Sequence, residues 1–97
     1  ELDSIVLNTS EAKYPSPLRQ DLRPMKGVYH ATFVLARLHH LYKLIDQFEG
    51  EDLKSKKRRQ NVIKKALLKG IRTLEEHAIL TNHGRALLKQ MNEICNE

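Results

Sequence analysis

Ninety-seven residues, 40% of them apolar and 30% charged, with four Gly and three Pro, suffice for one folded domain with a modest core and exclude a low-complexity or disordered chain. A lone cysteine, Cys95, excludes an intrachain disulfide and fits a reducing compartment, while no apolar run approaches the eighteen or so residues of a membrane span. The formal charge of +5 has one source: Lys54–Lys65 carries seven of the seventeen basic residues and no acid, leaving ten basic against twelve acidic residues elsewhere.

Glu1–Leu22 combines an apolar patch (Leu2, Ile5, Val6, Leu7) with Pro15 and Pro17. Both prolines, and the residues before them, disfavour helix, so residues 1–22 are expected to form an extended or short-helical strap packed on the remainder, residues 23–97. From Pro24 onward Val28, Ala31, Leu35, Leu38, Tyr42 and Ile45 recur at three- and four-residue steps, widened by Val34, Leu41 and Phe48. This spacing predicts a long helix over about 23 to 48, with Asp21 as a cap, Pro24 in the first turn and Gly50 at the stop.

After the turn Glu49–Asp52, a second helix is expected from Asp52 or Ser55, with Ile63, Ala66, Leu67, Ile71, Leu74 and Ala78 inward. Gly70 lies inside it at a cost of about 1 kcal/mol relative to Ala, which close approach to the first helix would offset. Thr81-Asn82-His83-Gly84 breaks the chain before a third helix that turns Leu87, Leu88, Met91, Ile94 and Cys95 inward. Long helices joined by a short turn pack antiparallel. The expected fold is therefore a small all-α bundle of two long antiparallel helices and a shorter C-terminal one.

The basic run falls at the start of the second helix, where the backbone dipole already presents positive partial charge and acids are preferred. A bound anion reconciles the two, because free N–H groups and clustered cations then meet a phosphate together. The candidate binding residues are Lys54, Lys56, Lys57, Arg58, Arg59, Lys64, Lys65, Lys69 and Arg72. Of these, Arg58, Lys65, Lys69 and Arg72 share one helix face. Two other readings of the run are a solvated face that keeps the domain soluble and, for Lys54–Arg59, a nuclear-import address. Attachment to a membrane surface is disfavoured, since no large aromatics accompany the basic residues.

The five aromatic residues, Phe33, Phe48, Tyr14, Tyr29 and Tyr42, form no base-stacking platform, so nucleic-acid contact would go to phosphate. Adjacent His39 and His40 project about 100° apart on a helix and serve one metal poorly. No metal or cofactor is expected. Cys95 reads as a small core residue.

Arg72 and His77 form an Arg-x4-His pair, which resembles the short motif of the HEPN-type ribonucleases, helical bundles that often act as dimers. The resemblance implies a metal-independent ribonuclease in which the pair positions and protonates a scissile phosphate. It covers two residues, Thr73 stands where the family tends to place a more polar one, and the chain is short for that fold.

The leading expectation is a non-catalytic helical domain that binds nucleic-acid backbone, DNA or RNA, as an accessory module of a larger intracellular, nuclear protein, the chain opening at Glu1 rather than Met and without a basic-then-apolar leader. The alternative is a protein-interaction bundle that accepts a partner helix or acidic peptide in a groove between its long helices, or that self-associates. The apolar residues of the first helix favour it, since they cover more than one face and exceed what one neighbour can bury.

Overall fold

The computed structural model describes the backbone of residues 4–46 and 53–96, and the side chains of 4–45 and 57–96. Five elements follow in order: β1 (Lys13–Tyr14), β2 (Arg23–Pro24), α1 (Met25–Asp46), α2 (Leu53–His77) and α3 (Asn82–Cys95). The chain is mostly helical with three helices, but it is not all-α. β1 and β2 pair antiparallel, Lys13 opposite Pro24 and Tyr14 opposite Arg23, and Val6 forms an isolated bridge with Leu80. Main-chain pairing replaces helix in the arm because Pro15 and Pro17 deny it a helical ladder.

Thr32 of α1 lies against Gly70 of α2. Further along α1, Lys43 acts on the Cys95 thiol, as does Lys64, which precedes Gly70 in α2. The two long helices therefore run antiparallel. At the crossing, a Cβ on Gly70 would overlap Thr32 Oγ1 and lie 3.0 Å from Thr32 Cγ2 and 3.1 Å from Thr32 Cβ. Gly70 is the residue that lets the two backbones come this close, as its position in the sequence suggested. Thr32 is fully buried there, and its hydroxyl is satisfied by donating to the Val28 carbonyl at 2.7 Å.

This crossing turns α1 away from the expected stripe. The residues of α1 that enter the core are Met25, Val28, Tyr29, Thr32, Leu35, Ala36 and His39, a face rolled by roughly a quarter turn from the expected one. Ala31, Tyr42 and Ile45 become half-buried and Leu38 is exposed. Phe48 lies outside the described residues. α2 follows expectation more closely: Leu67, Ile71 and Leu74 are buried, while Ile63, Ala66 and Ala78 pack at the margin. In α3, Met91 and Cys95 are buried, with Leu87, Leu88 and Ile94 partly so.

Two of the expected caps on the long helices, Asp21 and Ser55, are corrected. Asp21 does not cap α1, since its carboxylate is held by Arg19 Nε at 3.0 Å and by Arg23 Nε at 3.4 Å. Its hydrogen bond from the Arg19 guanidinium keeps that carboxyl below its ordinary range. Ser55 lies inside α2, which starts at Leu53, and so cannot cap it, while Asp52 and Gly50 lie outside the described residues. At α3, Thr81 is the N-cap: its hydroxyl accepts from the Gly84 N–H at 3.1 Å and donates to the Ser4 carbonyl at 2.6 Å.

The arm closes the other end of the core. Ile5 and Val6 are buried, the Leu7 N–H donates to the Ile79 carbonyl at 2.7 Å, and the Thr81 N–H donates to the Ile5 carbonyl at 3.0 Å. Asn8 imitates a strand residue with its side chain: Nδ2 donates to the His77 carbonyl at 2.9 Å, and Oδ1 accepts from the Ile79 N–H at 2.7 Å. Gly84 sits under this arm, where a Cβ would lie 2.5 Å from the Ile5 carbonyl oxygen. The carbonyl of Gly84 accepts the Tyr29 hydroxyl at 2.8 Å, tying α1 to α3.

Gly70→Ala gains about 1 kcal/mol of helix propensity but forces apart a contact that includes the immobile Thr32 Cβ, at about 1–3 kcal/mol for overpacking. Urea denaturation should therefore show net destabilisation, and adding Thr32→Ala should recover most of it through a favourable coupling. Burial pushes the Tyr29 phenol up to about 12 from an ordinary 10.0. Between these values the unfolded chain has lost the proton that the folded one keeps, so this contribution to stability is complete below about pH 10 and is lost as pH rises to about 12. Tyr29→Phe should cost about 1 kcal/mol at neutral pH and flatten the alkaline limb of a stability-versus-pH curve.

Candidate nucleic-acid interface

α2 segregates its side chains sharply. With 3.6 residues per turn, placing Leu67, Gly70, Ile71 and Leu74 in the core sends Arg58, Lys65, Lys69 and Arg72 to the opposite side, where all four are exposed. Roughly 21 Å of helix axis separates the first from the last, at about 1.5 Å per residue. The nine candidate residues do not form one patch. Lys57 and Lys64, seven residues apart, lie on a flank of the ridge beside the exposed Leu68, and Lys64 is close enough to α3 to act on the Cys95 thiol. Arg59 points to the other flank, where it lines a shallow depression with Arg58, Val62 and Ile63. Lys54 and Lys56 lie in the first turn of α2, and their side chains are outside the described residues.

The first turn of α2 contains no acid. The ion pairs Arg19–Asp21 and Arg23–Asp21 do not touch the ridge. Four cations thus stand in water on a face whose own helix end adds positive potential. α2 contains no Phe, Tyr or Trp, so the face offers charge and hydrogen-bond donors but no surface for base stacking.

A second group of cations escaped sequence reasoning. Arg19, Arg23 and Lys26 line a cavity of about 820 Å³ between the arm and the start of α1. Asp21 offsets part of that charge.

Arg72 and His77 are both exposed, but five helical steps rotate by about 140°, so they leave α2 on different sides. His77 ends the helix with its ring 5.2 Å from that of Tyr14 and its carbonyl engaged by Asn8. His39 is buried whereas His40 is exposed, as a 100° separation requires. Among the described residues no group of three or more His, Cys, Asp or Glu is placed to hold a metal ion. Burial pushes the Cys95 thiol up, against the pull of Lys64 and Lys43, which suits a packed core residue rather than a nucleophile. No helix of the described residues is long and apolar enough to cross a membrane.

Neither protein-family models nor curated proteins yield a match to this chain.

Proposed function

We propose that this helical bundle is a non-catalytic nucleic-acid-binding module that docks the phosphate backbone along α2, as an accessory part of a larger nuclear protein. The observation that carries the reading is the exposed row Arg58, Lys65, Lys69 and Arg72, set opposite the buried Leu67, Ile71 and Leu74 with no carboxylate paired to it among the described residues. Displacing counterions from phosphate is the favourable step such a row supplies. Lys57 and Lys64 on one flank and Arg59 on the other widen the footprint, and Lys54 and Lys56 continue it into the first turn. Without aromatic residues on the helix, recognition rests on backbone charge and discriminates little between sequences. The run Lys54–Arg59 also suits a nuclear-import receptor.

Titration of duplex DNA and single-stranded RNA at several salt concentrations tests this. For duplex, log K should fall with log salt at a slope of about −3 to −4, as expected for four neutralised phosphates. The double variant Lys65→Glu/Lys69→Glu should lose at least about tenfold in affinity and flatten the slope by about 2 units. Its urea stability should stay within about 0.5 kcal/mol of the parent, because both sites are exposed. Undiminished affinity in that variant would exclude α2 as the binding face, and cleavage of the RNA that His77→Ala abolishes would revive the ribonuclease reading.

A further inference from the structure

The quarter-turn roll of α1 leaves an apolar face exposed. Val34 is 37% exposed, Leu38 36%, Leu41 49% and Leu44 44%. The arm does not cover them, since its described contacts go to the α2–α3 connection and to the start of α1. Together with Ile94 of α3 they line a groove of about 570 Å³. The groove lies on the far side of α1 from α2, not between the long helices, where the Thr32–Gly70 contact closes the space.

Two features specify the occupant. The first is periodicity. Along the groove Val34, Leu38 and Leu41 follow at steps of four and three, the spacing of a seam that accepts another helix, knob into hole. The second is charge. Among the described residues the groove's lining includes Arg37, His30 and His40 and no Asp or Glu. Arg37 stands over the Phe33 ring, 5.7 Å from its centroid, which holds a cation at the groove's edge.

A second copy of this chain fits poorly. In a two-fold dimer the same patch meets itself, bringing Arg37 and the two histidines of one protomer against those of the other. We infer that the α1 face is a docking site for an amphipathic helix of another protein, apolar along its seam and flanked by carboxylates that face Arg37. This surface shares no residue with the α2 ridge, so the inference stands whether or not α2 binds nucleic acid.

Two synthetic helical peptides test it by fluorescence anisotropy, both with Leu at the seam positions, one flanked by Glu and the other by Lys. The Glu peptide should bind at least tenfold more tightly than the Lys peptide. Leu41→Glu should weaken Glu-peptide binding at least tenfold. Arg37→Glu, which leaves the seam intact, should reverse the preference between the peptides. Lys65→Glu/Lys69→Glu should leave Glu-peptide binding within about twofold. Equal binding of the two peptides, no binding of the Glu peptide, or loss of binding only in the α2 variant would overturn the inference. So would a dimer in sedimentation equilibrium that Leu41→Glu converts to monomer, since a second copy would then own the face.

Discussion

The contact between Thr32 and Gly70 is the constraint from which the rest of the architecture follows. Two helices separated by one hydroxyl-bearing side chain and no Cβ can roll very little against each other, so this crossing fixes the orientation of both. On α1 it turns Tyr29, Leu35, Ala36 and His39 inward and presents the Tyr29 hydroxyl to the Gly84 carbonyl. On α2 it turns Ile71 and Leu74 inward and thereby sends Lys65, Lys69 and Arg72 to solvent. The apolar face of α1 and the basic face of α2 are thus two outcomes of one packing event.

The two helices differ in how openly their sequences declare this. α2 alternates Leu67, Ile71 and Leu74 with Lys65, Lys69 and Arg72, so its period admits a single inward face, and both its core and its ridge were legible. α1 is apolar nearly all round. Several stripes fit its period equally well, and the reading that favours the most hydrophobic residues passes over Thr32 and His39, which the structure buries. What selects the true face is a glycine on another helix, a tertiary fact that no window of α1 contains. The arm was harder still: Asn8 acts through a side chain that mimics backbone, on partners 69 and 71 residues away, and no local pattern announces such a pairing. The Asp21 cap failed for a similar reason, since Asp21 found two arginines before it could reach a helix end.

The charge on α2 is arranged against local stability. Its first turn holds no acid, and Glu75 and Glu76 lie near its C-terminal pole, each worth a few tenths of a kcal/mol in the unfavourable sense. Long-range packing carries the helix instead, through Leu67, Ile71 and Leu74. Local rules broken where a fold can tolerate it are where surface function tends to reside. The same holds for α1, whose exposed leucines add nothing to the core.

The clasp between residues 4–8 and 77–84 also bears on how the chain folds. Ile5 and Val6 belong to the same core as Met91 and Cys95, yet the arm's main-chain partners lie on the connection just before α3. During synthesis the arm precedes both long helices and must wait for them before it can pair with residues 77–84. The loop it then closes spans about 70 residues, an entropic cost that adjacent helices do not meet. α1 and α2 can find each other early across a short connection, whereas the arm and α3 must arrive together, sealing Gly84 between them. The clasp thus ties the arm to the α2–α3 connection through contacts some 70 residues apart in sequence.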